Sequence, residues 1–248
     1  GFCRRQVDIW SRQYALSAQA VSHLPPMQRL EDWLKQNIPY ANDHAASPLL
    51  SVVHGDFRLD NVIYGNTGPQ AVLDWELGGM GDGTMDLAYC CLGYYLPQEG
   101  FLSSFSMFTQ GGNTLPPGIP SLEGFIASYK ARLTPERACK VPSTTSAEWK
   151  FFLCLGLYRI ASICAGVYSR AVQGNASRGN TALAFKDVVP QLAELALSII
   201  SAGSAGDPQA GAEPGEPSAG ARVILEKLHA FMEDCVLPNE LKISEYNL

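Results

Sequence analysis

The densest chemistry in the sequence lies in one short stretch, "VVHGDFRLDNVIY" (residues 52–64), where His54, Asp56, Arg58, Asp60 and Asn61 sit between runs of β-branched residues. An apolar strand, a polar burst and a second apolar strand present polar groups on a short rigid loop. Asn61 follows Asp56 by five residues, and Asp74 stands eighteen residues after Asp56, at the end of "AVLD". A strand–loop–strand–turn–strand path folds back on itself, so Asp74 is expected beside Asp56 and Asn61. An amide oxygen and a carboxylate converging there make a hard, oxygen-rich site suited to Mg²⁺. A second carboxylate left free on the loop can accept a proton from a substrate hydroxyl. That division of labour is what phosphoryl transfer from a nucleotide requires.

Each residue also has a plainer role to be weighed. A His-Gly-Asp tripeptide alone is as often a turn as a site, but with Asn61 and the "LDWE" segment in order the site is preferred. No other histidine pairs with His54, which is expected to be a hydrogen-bonded structural imidazole rather than a general base or a zinc ligand. Arg58 either contacts a phosphate or pairs with Glu76 across the hairpin, the ion pair being slightly preferred. Asp60 and Asp82 are most simply turn or cap residues. Trp75 and Tyr89 are expected in the core rather than as substrate platforms. Arg159 stands at the centre of the apolar "FFLCLGLYRIASICAGVY". It is expected to meet a buried carboxylate or carbonyl, with contact to a substrate cleft as the alternative.

The elements that must hold these residues can be read from periodicity. Val7, Trp10 and Tyr14 fall at helical spacing in an opening helix. "PPMQRLEDWLKQNIP" starts on prolines suited to a first turn, places Met27, Leu30, Leu34 and Ile38 on one face, and ends at Pro39. Strands are expected at "LLSVV", "NVIY" and "AVLDW", the last two joined by the turn "GNTGP". Helices follow at "TMDLAYCCLGYYL" and, after the loop "QGGNTLPPGIP", at "SLEGFIASYKARL". A long helix runs from about Ala147 to Gln173, and a last one covers "TALAFKDVVPQLAELALSII", where Pro190 threatens a kink. Residues 1–200 thus read as one mainly helical body with a small β ribbon carrying the polar loop. Residues 201–220 are rich in Gly, Pro, Ala and Ser with no large apolar side chain, a flexible linker spanning roughly 25 Å. Beyond it, Ile224, Leu228, Phe231, Met232 and Cys235 mark one amphipathic helix, over residues 221–248, that cannot bury its own face and reads as the start of a second domain.

Composition narrows the partners. The chain has 248 residues, 46% hydrophobic and 17% charged, enough for a real core. Net charge is −6, the pI is near 5.2, and no basic cluster appears, which argues against nucleic acid and an anionic membrane surface. Phe151–Tyr168 is interrupted by Arg159 and reads as a buried core helix rather than a transmembrane segment. The seven cysteines are odd in number and form no CxxC pair, against zinc or a secreted disulfide framework. Cys90, Cys91, Cys154 and Cys164 are expected to be buried free thiols of a reducing compartment.

"HGDFRLDN", then "LDWE", then "GDGTMDLAY" together resemble the aminoglycoside phosphotransferase-like kinases, the choline/aminoglycoside kinase group. Their catalytic loop reads H-G-D-x-x-x-x-N, and their metal motif is an Ile or Leu, Asp, Trp or Phe and then an acid. The wider sequence, including "RQVDIWSRQY" and "ILEKLHAFMEDCVLPNE", is similar to the kinase domain fused ahead of an acyl-CoA dehydrogenase in members ten and eleven of that dehydrogenase family. The resemblance implies an α+β fold, the protein-kinase-like C-terminal lobe, with Asp56 as catalytic base and Asn61 and Asp74 binding Mg²⁺ and, through it, ATP. His54 and Asp86 would brace the loop. It further implies phosphorylation of the hydroxyl of a small metabolite, 4-hydroxyacyl-CoA, in fatty-acid catabolism. The partner would be a tethered dehydrogenase domain, to which any FAD would belong, and the location intracellular, in mitochondrion or peroxisome. Gly83 replaces the proline usual in the third motif, which loosens a turn without touching a ligand. No glycine-rich nucleotide loop is present, so the N-terminal lobe is expected to be absent. The alternative function is then a catalytically inactive fragment or interaction module.

Overall fold

The computed structural model describes residues 1–21, 23–39, 49–66, 68–97, 115, 119–174, 183 and 185–202. The linker and the helix expected beyond it lie outside the described residues, as does most of the loop over residues 98–118. The helices are α1 (Phe2–Val21), α2 (Pro25–Gln36), α3 (Thr84–Cys90), α4 (Leu122–Ala131), α5 (Pro135–Ala138), α6 (Ala147–Val172) and α7 (Phe185–Ser201). Four short strands, β1 (Leu50–Val53), β2 (Val62–Gly65), β3 (Gly68–Val72) and β4 (Gly79–Asp82), lie between α2 and α3.

Helix α6 is the axis of the core. Ser146 starts it by accepting the Trp149 amide at 3.1 Å, the side-chain cap that a helix N-terminus needs. Its sequence is apolar on every side, and α1, α2, α3 and α7 pack around it. It is long and apolar enough to cross a membrane, yet 78% of its most apolar window is buried within the protein. Polar ties lock its neighbours in place: the Tyr158 hydroxyl donates to Glu31 of α2 at 2.8 Å, and the Leu24 amide donates to the Tyr14 hydroxyl of α1 at 3.0 Å. Cys91, Cys154 and Cys164 are buried and Cys90 half-buried, all free thiols; burial pushes Cys154 and Cys164 up to about 12, which keeps them inert.

Three expectations about element ends change. Helix α2 stops at Gln36, where the Asn37 side chain and amide both cap Trp33 O, at 2.8 and 3.0 Å. Ile38 could not have continued it, because a residue before proline is pushed out of the α region. Pro190 sits inside α7 without dividing it. The carbonyl that loses a donor belongs to Lys186 on the exposed side, where water can replace the bond. The strand expected through Trp75 ends at Val72, because Asp74 has a φ of 61°, a left-handed conformation that no strand accommodates.

The β part is two separate antiparallel pairs rather than one ribbon. β2 pairs with β3, from Val62 opposite Val72 to Gly65 opposite Gly68. β1 pairs with β4, from Leu50 opposite Asp82 to Val53 opposite Gly79. This second pairing sets up the site: the chain leaving β1 and the chain entering β4 meet at the same end of one ladder. Residues 54–56 and residues 74–78 are therefore neighbours in space.

Candidate active site

The loop after β1 turns on Gly55. Its φ is +81°, and a β-carbon there would lie 2.6 Å from the Leu77 carbonyl oxygen. Only glycine fits both the dihedral and the approach. Beneath the loop, Asp86 in the first turn of α3 accepts the amides of His54 (2.5 Å) and Gly55 (2.9 Å). Burial raises the Asp86 carboxyl, against those two amide bonds and the charge of Arg159. Asp82, fully buried, accepts the Thr84 amide at 2.8 Å where the chain enters α3.

His54 is 2% exposed and both ring nitrogens are engaged. Nδ1 accepts the Asp56 amide at 3.1 Å, so Nε2 carries the proton donated to Leu73 O at 2.6 Å. The ring packs 4.7 Å from that of Trp75. The imidazole is thus a strut that ties the loop to the segment bearing Asp74.

That segment is tied twice. The Leu73 carbonyl holds His54, and its amide donates to Asn61 O at 2.7 Å. Asp74 is the next residue, exposed, in the left-handed conformation that turns the chain from β3 into the 3₁₀ turn Trp75–Leu77. Asn61 is 8% exposed and closes a second 3₁₀ turn, Leu59–Asn61. Its Nδ2 donates to the Asp56 carbonyl at 2.9 Å and to Asp56 Oδ2 at 3.3 Å. With the amide nitrogen spent on Asp56, the Asn61 amide oxygen is the atom left for another ligand.

Among the described residues no group of three or more His, Cys, Asp or Glu converges to hold a metal ion. The donor pair of Asn61 and Asp74 would leave a bound cation to complete its shell with waters and substrate phosphates, as Mg²⁺ does. It does not fit a caged structural metal.

Asp56 is not the free carboxylate that the spacing suggested. Its Oδ1 pairs with Arg159 Nη2 at 2.9 Å; the arginine side chain is 3% exposed and the aspartate 26%. The guanidinium lies between two aromatic rings, 5.1 Å from the centroid of Trp10 and 4.9 Å from that of Tyr89. Burial pushes the Tyr89 hydroxyl up to about 12, Arg159 opposing and Asp56 adding to the rise. Arg159 was visible in the sequence as a lone charge in an apolar helix, but nothing local identified its partner as the loop aspartate.

Two other expectations are corrected. Arg58, the extended residue just before the Leu59–Asn61 turn, pairs with Asp60 within it, and not with Glu76, which is exposed on the Trp75–Leu77 turn. A partner fixed by the local backbone is reached at less entropic cost than one across the hairpin. Trp75 is 41% exposed rather than in the core, its Nε1 donating to Val72 O at 2.9 Å.

Residues 1–125 match the family profile described as "Phosphotransferase enzyme family". Over 99% of its length the chain is 35% identical to acyl-CoA dehydrogenase family member 11 of Homo sapiens. It is 36% identical to family member 10 of Mus musculus over 77% of its length. The chain spans only 30% of the former protein and 16% of the latter. Among solved structures, a "putative aminoglycoside phosphotransferase" from Ralstonia eutropha is similar with a TM-score of 0.56 at 29% identity, covering 81% of this chain and 56% of that one. The mainly helical body with its small strand pairs is consistent with the C-terminal lobe of a kinase-like fold.

Proposed function

The chain belongs to the phosphotransferase enzyme family, and from that premise we propose that it forms the catalytic lobe of an ATP- and Mg²⁺-dependent kinase acting on an alcohol. The observation that carries this reading is the meeting of Asp56, Asn61 and the Asp74 turn at one end of the β1–β4 ladder, cross-linked through Leu73. Asp56 orients the acceptor hydroxyl and takes its proton. Asn61 and Asp74 offer the oxygens for the metal. His54, Gly55 and Asp86 hold the loop so that these groups need not reorganise during transfer. Bound Mg²⁺–ATP supplies the phosphoryl group and the charge that neutralises it, so the chain's own task is positioning.

The acceptor we propose is a 4-hydroxyacyl-CoA. Its support is the likeness to proteins named acyl-CoA dehydrogenases, of which this chain matches only a part. In this reading residues 201–220 tether the lobe to a dehydrogenase domain that begins within residues 221–248, and the protein works in mitochondrion or peroxisome. The test is acceptor-dependent ATP consumption measured over a panel of hydroxyacyl-CoAs, unmodified acyl-CoAs and aminoglycosides. Turnover specific to hydroxyacyl-CoA and lost in Asp74→Asn is expected. Equal turnover without a hydroxyl, or in Asp74→Asn, contradicts the proposal.

A further inference from the structure

We propose that Arg159 is a positioning residue of this site: wedged between Trp10 and Tyr89, it fixes one oxygen of Asp56 and thereby sets how the carboxylate meets a substrate hydroxyl. The inference rests on the phosphotransfer reading for its consequence, and on geometry alone for the clamp itself.

Three observations carry it. First, the main chain of the loop is held without Arg159: the Asp56 amide goes to His54 Nδ1, and the Asp56 carbonyl accepts from Asn61. What Arg159 adds is confined to the carboxylate, which also meets Asn61 Nδ2 at 3.3 Å through Oδ2 and bonds the Tyr89 hydroxyl. Second, the guanidinium is oriented by two rings from different helices, Trp10 of α1 and Tyr89 of α3. A flat cation held between two π faces has little freedom to follow a moving carboxylate. Third, a buried charge in an otherwise apolar helix does not repay its desolvation through stability. Arg159 Nε is buried with no hydrogen-bond partner among the described residues, so the guanidinium's ion pair runs through Nη2 to Asp56. Orientation of Asp56 is the role its contacts leave.

The clamp also gives the acceptor side of the site a link to the core. α6, α1 and α3 meet at this one guanidinium, so the direction of the Asp56 carboxylate is referred to the packing of three helices and not to the loop alone.

The full chain is compared with Arg159→Met, which keeps the volume, and Arg159→Lys, which keeps the charge but loses the planar fork. Turnover should fall about 10- to 100-fold in Arg159→Met, the scale of a misplacement near 1 Å. The KM for Mg²⁺–ATP should stay within about twofold, since Asn61 and Asp74 are untouched. Arg159→Lys should recover only part of the loss. A crystal structure of either variant should show the Asp56 side chain out of its present rotamer with the loop backbone in place. Wild-type turnover in both variants, or an Asp56 side chain unmoved in their structures, overturns the proposal. Should Arg159→Met not fold, Arg159→Lys carries both readouts. If the wild type shows no turnover on its own, the variant structures still decide whether Arg159 orients Asp56, an unmoved Asp56 side chain overturning the proposal.

Discussion

Replacing Gly55 by alanine should damage both the fold and the chemistry, by amounts that the geometry sets. The residue lies at φ +81°, and its new β-carbon would meet the Leu77 carbonyl oxygen at 2.6 Å, about 0.8 Å inside ordinary contact at 3.4 Å. The left-handed backbone costs an L-residue about 1–2 kcal/mol, and forcing an extra methyl into a packed contact about 1–3 kcal/mol more. The expected loss is about 2–5 kcal/mol, a fall of about 1–2.5 M in urea midpoint for a slope of about 2 kcal/mol per M. Because the obstacle is backbone and not a flexible side chain, relief requires the loop to move away from the Trp75–Leu77 turn, separating Asp56 from Asp74. Turnover should therefore drop about 100-fold. Gly79→Ala is the control, since a β-carbon there meets nothing within 4 Å, and it should stay within about 0.5 kcal/mol of wild type. Equal urea midpoints for Gly55→Ala and Gly79→Ala would refute the reasoning.

Three further outcomes follow from the same structure. Leu153→Ala, at a fully buried position on α6, should lose about 2–5 kcal/mol in chemical unfolding, whereas Ile163→Ala on the exposed side of the same helix should lose under about 1 kcal/mol. Glu31 is raised by burial, but its bonds from Lys35 and Tyr158 outweigh that and hold its carboxyl below the usual value. A depressed folded value means stability that is present above the unfolded value near 4.3 and is lost as pH falls through the folded one. Wild type should therefore exceed Glu31→Gln by about 1 kcal/mol at neutral pH, with the gap closing in thermal melts as the pH falls below the unfolded value and through the depressed folded one. Arg58→Ala removes only an exposed ion pair with Asp60, and its unfolding midpoint should move by less than about 0.5 kcal/mol.

Much of the candidate site's geometry was legible in the sequence because its polar residues stand at fixed spacing between strand-forming runs. Asp56, Asn61 and Asp74 could be placed together from the strand–turn–strand pattern alone, and the main helices could be placed from their apolar periodicity. What escaped notice depends on distant parts of the chain. β4, "GMGD", has no β propensity of its own; it is a strand because the free edge of β1 recruits it. The ion pair of Arg159 with Asp56 joins two residues far apart in sequence, which no local pattern encodes. Arg58 failed in the opposite way: a cross-hairpin partner was attractive on paper, but Asp60 was already within reach. Trp75 was expected in the core from residue type, yet the left-handed turn at Asp74 swings it against His54 and into solvent.

The most direct measurement is transfer of the labelled γ-phosphate of ATP to 4-hydroxyacyl-CoA by the full chain, beside Asp56→Asn, with Mg²⁺–ATP affinity measured in parallel. Asp56→Asn should leave nucleotide affinity nearly unchanged and cut label transfer by about 10²–10⁴-fold, the usual worth of a positioned general base. Label transfer undiminished in Asp56→Asn would contradict the assignment of this loop as the centre of the reaction.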